Sequence, residues 1–198
     1  VNQLTTIFLG PQGSGKGTQI QLLKDYLVKS DPSRAIVHFE MGKMLRDRGG
    51  KEDFTGQQTK EILAGGNLIP YVISASLFAL YLMDNLKSGD EHLIIDGFPR
   101  TADQVPTLDS AMKFFKRENT NVVCINISDE EAVKRLLLRG RSDDTEEAIR
   151  KRLQWSREQT MPNIEWFRKT PGYTVLDIDG EGTIEQTHEK VFKALGIL

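Results

Sequence analysis

Three short stretches concentrate groups suited to holding phosphate. In GPQGSGKGTQ (Gly10–Gln19), Gly10, Gly15 and Lys16 fall at the spacing G-x-x-x-x-G-K, between an apolar run and an amphipathic one. Glycines let the backbone curl so that successive N–H groups point inward, and the following helix start adds partial positive charge. A lysine at that place reaches the terminal phosphates of a polyphosphate. Gly17 stands where the general motif puts a magnesium-binding Ser or Thr, with Thr18 one residue later. That displacement argues against a GTPase switch or a motor ATPase. LIIDGFPRT (Leu93–Thr101) ends an apolar run on Asp96, followed at once by Gly97, Pro99 and Arg100. An aspartate there organises a magnesium ion, often through water. KRLLLRGRSDD (Lys134–Asp144) sets Arg135, Arg139 and Arg141 against Asp143 and Asp144. By itself it reads more readily as a charge-balanced surface than as guanidinium groups awaiting a polyphosphate, and the phosphate loop reverses that order.

The elements that must position these groups are legible as alternation. Short runs rich in Val, Ile and Phe recur at Thr5–Gly10, Ala35–Glu40, His92–Asp96, Asn121–Ile127 and Tyr173–Ile178. Between them lie an amphipathic stretch, Gly17–Ser30, and a mostly apolar one, Tyr71–Ser88. Ser128 through Glu131 has the pattern of a capping box opening the helix that carries Arg135 and Arg139; Asp144 through Glu147 repeats it before Arg152. Strands alternating with helices imply a parallel sheet covered on both faces, with ligands beyond the carboxyl ends of its strands. The longest interruption, Met41 to about Pro70, is polar and partly helical, a candidate mobile excursion.

At 198 residues the chain suits one domain, with 27% charged and 38% hydrophobic residues. Its 26 Lys and Arg nearly cancel its 28 Asp and Glu, so net charge favours neither nucleic acid nor membrane as partner. The single cysteine, Cys124, lies in the apolar run NVVCINI and reads as a buried thiol in a reducing compartment. The richest apolar stretch, YVISASLFALYLM, is too short to span a bilayer. A cytoplasmic, soluble protein is the expectation.

With GPQGSGKGTQ, DGFPRT followed by Gln104, and RLLLRGRSDD…RKRL in this order, the chain resembles the adenylate kinases, a family of P-loop nucleoside monophosphate kinases, over essentially its whole length. The resemblance implies an α/β, three-layer P-loop NTPase fold with a five-stranded parallel sheet flanked by helices. It implies a single kinase domain, 1–198: core 1–40, 71–138 and 153–198, an AMP-binding helical excursion 41–70 and a minimal lid 139–152. The implied reaction is reversible phosphoryl transfer from MgATP to AMP, giving two ADP. ATP, AMP and ADP are then the small-molecule partners, Mg2+ the cofactor, and the chain a monomer by default, with an oligomer possible.

Residue by residue, the resemblance places ATP on Gly13, Ser14, Gly15, Lys16, Gly17 and Thr18, with Arg135 and Arg139, the latter stacking on the adenine. It places AMP on Gly42, Arg46, Leu63, Ile69, Gly97, Arg100, Gln104, Arg141 and Arg152, with Gln104 reading the adenine edge. Lys16, Arg100, Arg135, Arg141 and Arg152 become the catalytic cations, Asp96 the residue ordering magnesium waters, and Asp143 and Asp144 the paired lid aspartates. Phosphoryl transfer asks mainly for in-line positioning and charge neutralisation, which explains so many arginines. No general base is required by this scheme.

Two departures stand out. Met41 and Lys43 replace the family's hydroxyl residue and aspartate around Gly42, which leaves UMP, CMP or another monophosphate as an alternative acceptor. Gly140 alone separates Arg139 from Arg141, where long-lid relatives insert a domain, sometimes with four zinc-binding cysteines; no zinc is expected here. A more distant alternative is a P-loop ATPase or nucleotide-controlled binding module. Plainer readings accompany individual residues. Arg135, Arg139 and Arg152 suit salt bridges to nearby acids, and Asp144 suits a helix N-cap. Lys43 and Lys60 suit solvated positions, and His38, His92 and His188 structural or surface ones. Phe114, Phe115, Trp155 and Trp166 suit packing.

Overall fold

The computed structural model describes residues 2–141 and 144–197. Strands β1 (Thr5–Leu9), β2 (Ile36–Glu40), β3 (His92–Asp96), β4 (Thr120–Asn126) and β5 (Tyr173–Asp179) form one sheet in the order β2-β3-β1-β4-β5. Every neighbouring pair is parallel. The helices are α1 (Lys16–Ser30), α2 (Met41–Gly49), α3 (Phe54–Ala64), α4 (Tyr71–Asn85), α5 (Gln104–Phe114), α6 (Asp129–Arg139), α7 (Glu146–Trp155), α8 (Pro162–Lys169) and α9 (Ile184–Ala194). A five-residue π-helical turn, Ser156–Thr160, joins α7 to α8.

The central strands are apolar throughout because alternate side chains enter different layers. Ile7, Leu9, Leu93, Ile95, Val122 and Cys124 pack with Phe78 and Leu82 of α4, Leu108 and Met112 of α5 and Phe167 of α8. Their neighbours Phe8, Ile94, Val123 and Ile125 face Ile20, Leu23 and Leu27 of α1 and Val191 and Phe192 of α9. A third, separate cluster joins Ala132 and Leu136 of α6 to Ile149 and Leu153 of α7. That cluster makes α6 and α7 a hairpin, and the hairpin carries the arginine-rich stretch.

Most element bounds agree with the sequence reading to within a residue or two. The apolar stretch from Tyr71 stops at Asn85, because Leu86 is extended and Lys87–Gly89 turn around Glu91. A clear correction concerns Asp144. The N-cap of α7 is Thr145, whose hydroxyl accepts the Ala148 N–H, while the Asp144 side chain is wholly buried between guanidinium groups. A carboxylate with two arginines in reach gains more from them than from one backbone N–H. Residues 41–70 also begin inside the fold, for Met41, Leu45 and Ile69 belong to the main core.

Cys124 is fully buried and its thiol is pushed up to about 12, chiefly by desolvation, as a packing role requires. His92 is likewise buried, its Nδ1 accepting the Leu4 N–H at 3.1 Å. No helix among the described residues is long and apolar enough to cross a membrane.

At the sheet's amino end Glu91 takes the N–H groups of Lys87, Ser88 and Gly89 at 2.6, 2.8 and 2.9 Å. The buried Arg117 guanidinium donates to the Glu91 carbonyl at 2.6 Å and stands 3.5 Å from its carboxylate. Burial alone would raise the Glu91 carboxyl, but N–H groups of Ser88, Glu91 and Lys87 outweigh it and hold it down to about 2. A carboxyl whose folded pKa lies below its unfolded value stabilises above the unfolded value and loses that contribution as pH falls. Glu91→Gln should therefore cost of order 2–3 kcal/mol near neutral pH, with the gap from wild type closing between about pH 4.5 and 2. Denaturant melts across that range measure it; a gap that persists at pH 2 would mean lost packing rather than lost charge.

Candidate active site

The glycine-rich loop and the cationic side chains converge at the carboxyl edge of the sheet. The loop leaving β1 enters α1 through Gly15, so Lys16 opens the helix. Gly13, at φ 86°, lies so close to α6 that a Cβ there would come within 2.9 Å of the Ala132 carbonyl. The cradle and the arginine-bearing helix are thereby pressed together. Lys16 Nζ donates to the carbonyls of Gly10 and Pro11 at 2.9 and 2.8 Å. Burial lowers its pKa to about 8; Arg100 and Arg139 push the same way, and Asp96 opposes them.

Asp96 pairs in register with Phe8 on one side and with Glu40 on the other. Burial raises its carboxyl above the usual range and Glu40 adds to this, while Lys16 pulls it back. Arg100 follows the cis Phe98–Pro99 bond. Its Nε donates to the Gly97 carbonyl at 2.8 Å, its N–H to Gln104 Oε1 at 2.7 Å, and its carbonyl accepts from Thr160 Oγ1 at 2.8 Å. Its guanidinium lies 5.7 Å from the centre of the Trp155 ring. The π-helical turn thus reaches across to hold the segment after β3.

On the hairpin, Arg135 donates to Glu131 at 2.7 Å and to the Gly180 carbonyl at 3.2 Å. Arg139 makes a two-pronged pair with Asp144, both contacts at 2.9 Å, and Arg152 reaches the same carboxylate at 2.8 Å. Desolvation opposes the ionised form of Asp144, but Arg139 and then Arg152 more than compensate and lower its pKa. These arginines are paired with acids and still line the cleft. Gly140, left-handed at φ 64°, caps α6 and turns the chain straight to Arg141. Arg141 is exposed on the cleft and makes no side-chain ion pair among the described residues. Asp143 lies outside the described residues.

These groups surround one cleft of about 1250 Å³. That exceeds the usual volume of a single small-ligand pocket, roughly 300–1,000 Å³, and leaves room for two nucleotides. Its wall includes Gly13, Ser14, Gly15, Lys16, Gly17 and Thr18; Gly42, Arg46 and Leu63; Asp96, Gly97 and Arg100; and Arg135, Arg139, Arg141 and Arg152. Ile69 and Gln104 are not on it. Ile69 packs in the core, and the Gln104 amide is engaged by Ser74 Oγ at 3.0 Å and by Arg100. Met41 is also core and is not on the cleft wall.

The sequence reading missed Glu40, His38 and Trp155, all on the cleft. Glu40 was recognisable in principle, as an acid closing a strand in the manner of Asp96. Trp155 had no local signal, because its place depends on the π-helical turn and on its indole N–H reaching the Gly66 carbonyl at 3.0 Å. Lys43 is paired with Asp47 at 2.6 Å.

A glycine cradle at the first strand, a half-buried aspartate at the neighbouring strand and an arginine hairpin over both define a P-loop phosphotransferase. The family description "Adenylate kinase" matches residues 8–171. Adenylate kinases of Corynebacterium aurimucosum and Corynebacterium urealyticum are 35% and 34% identical over 191 and 189 residues, each alignment spanning 96% of this chain and 98% or 97% of the relative. That of Prochlorococcus marinus strain MIT 9211 is 33% identical over 192 residues, 97% of both chains. The chain belongs to the adenylate kinase family, nucleoside monophosphate kinases of the transferase class.

Lys16 makes the free cradle sensitive to pH. Below its lowered pKa it is charged and attracts phosphate; above it, it is neutral. The dissociation constant for ATP should rise about tenfold from pH 7 to pH 9, the range that a group titrating near 8 commands. In Lys16→Arg, where the cation does not titrate, the overall affinity falls but this slope disappears. Calorimetric titrations at several pH values measure both.

Proposed function

We propose that this protein transfers the terminal phosphoryl group of MgATP to AMP, reversibly, giving two ADP. The observation that carries this reading is a second cationic pole. Arg46 and Arg100 line the same cleft as the Lys16 cradle but approach it from α2 and from the end of β3. An ATP hydrolase needs one phosphate site; a phosphotransferase to a phosphorylated acceptor needs two that face each other.

ATP would lie along Gly13–Thr18, its phosphates on Lys16 and its base beside Arg139. AMP would lie against Gly42, Leu63 and Gly97, its phosphate on Arg46 and Arg100. Ile69 and Gln104 contribute from behind that wall, Gln104 by holding the Arg100 backbone. Residues 41–70 act as the acceptor-binding excursion and 139–152 as a minimal lid on the remaining core. Arg135, Arg141 and Arg152 neutralise charge spread over the moving group. Planar, permanently charged guanidinium groups suit that task better than ammonium groups do.

Asp96 is a half-buried carboxylate on the cleft wall with the cradle, and among the described residues no three His, Cys, Asp or Glu gather as a direct metal cage. That donor set fits a magnesium ion carrying its own water and phosphate ligands, with Asp96 accepting from the waters. When bound, the ion supplies charge neutralisation on the phosphates. Closing residues 41–70 and the hairpin over the substrates would exclude water and favour transfer over hydrolysis.

A coupled assay over AMP, dAMP, UMP and CMP tests the acceptor. AMP should give the highest kcat/KM, and UMP exceeding it would overturn the assignment. Arg141 bears on the chemical step, being uncommitted among the described residues and close enough to Arg139 and Arg46 to feel both charges. Arg141→Ala should lower kcat by roughly 10³-fold, in line with other phosphoryl-transfer arginines, while AMP affinity changes little. A fall of less than tenfold would remove it from the transferring group.

A further inference from the structure

Glu40 is a carboxylate inside an anion-binding site. It ends β2 and stands at the N-cap of α2, yet its side chain caps nothing. Instead Glu40 Oε1 accepts from Arg46 Nη2 at 2.9 Å. To reach it, Arg46 folds back along the first turn of its own helix, so that a Cβ at Gly42 would stand 3.0 Å from Arg46 Nη1. Both partners line the cleft, with side chains 38% and 31% exposed for Arg46 and Glu40. Glu40 is also next to Asp96 in register, and parallel neighbours in register share a face.

The other carboxylates on the cleft arginines differ in kind. Asp144 has no exposed side-chain surface and is held by two guanidinium groups at once, as a fixed part of the hairpin. Glu131 pairs one turn away with Arg135 on the same helix. Among the described residues, the Glu40 pair is the one in which a strand-end carboxylate holds the arginine on which the acceptor phosphate would sit.

We propose that Glu40 is a resident stand-in for the acceptor phosphate: it holds Arg46 while the site is empty and is displaced when a nucleoside monophosphate dianion arrives. This rests on the reading of Arg46 as an acceptor-phosphate ligand. Binding at Arg46 is then an exchange of one anion for another, so the arginine contributes less net affinity than a free guanidinium would. The displaced carboxylate stays within the cleft as a like charge beside the dianion. Glu40 thereby acts as a positioning residue that sets acceptor affinity through charge, without touching the base.

The test measures dissociation constants for AMP and for adenosine, by calorimetry without ATP, in wild type, Glu40→Gln and Glu40→Ala. Both variants should bind AMP at least fivefold more tightly, and adenosine, which carries no phosphate, within twofold of wild type. Unchanged or weaker AMP binding would overturn the proposal, since Glu40 would then be an inert surface pair or an aid to Arg46. Equal tightening of adenosine would overturn it too, as a steric or base effect. The carboxylate is partly exposed and, among the described residues, hydrogen-bonds only Arg46, so both variants should fold; thermal melts check each, and either one carries the test. Wild-type phosphorylation of AMP is assayed alongside. An active enzyme with unaltered AMP binding in the variants sinks only the role of Glu40, whereas a wild type inactive on every monophosphate sinks the functional reading and this inference with it.

Discussion

Cations gathered in one cleft repel each other, and the rest of the molecule is arranged around that fact. Two like charges ~4 Å apart oppose each other by about 4 kcal/mol at an effective dielectric constant near 20. The free protein tolerates the arrangement because most of these cations have a local partner, Arg141 being the exception among the described residues. Lys16 donates to the loop carbonyls of Gly10 and Pro11, Arg100 to the Gly97 carbonyl, and Arg135 to Glu131 and Gly180. Arg139 and Arg152 share Asp144, and Arg46 has Glu40. The cleft thus gathers positive groups that are tethered to differing degrees, from the buried Asp144 pairs to the half-exposed Arg46–Glu40 pair.

The sheet makes the convergence possible. Parallel strands point all their carboxyl ends the same way, so the loops after β1, β2, β3 and β5 open onto one edge. The order β2-β3-β1 sets Glu40, Asp96 and the cradle side by side. The α6–α7 hairpin, packed by its own cluster around Leu136 and Ile149, brings the remaining arginines over that edge. Its short turn through Gly140 needs no inserted domain, because the buried Asp144 closes the hairpin from within.

Much of this was legible along the chain, for physical reasons. A glycine pattern beside a strand has few alternative uses, and apolar runs of strand length separated by helical ones leave a parallel sheet as the economical solution. Where reading failed, two local rules competed or a distant contact decided. The Asp-Thr-x-Glu pattern before α7 offered two caps; tertiary charge took Asp144 and left the cap to Thr145. The Gln104 amide holds Ser74 and the Arg100 backbone, two contacts that only the packing of α4 against the segment after β3 creates. Trp155 reads as packing until the π-helical turn places it beside Arg100.

The sequence by itself determined the chemistry that could be done. The spacing of Gly10, Gly15 and Lys16, the aspartate closing β3 and the run of arginines specify phosphate binding through local geometry alone, because loop curl and strand ends follow from neighbouring residues. Only the tertiary structure decided which groups are free to do it. Pairing is a matter of distance in space, and one guanidinium cannot fully serve two anions at once. Whether Arg46 faces an open cleft or a carboxylate, and whether the Gln104 amide meets Ser74 and the Arg100 backbone, depends on how α2, α4 and β3 come together.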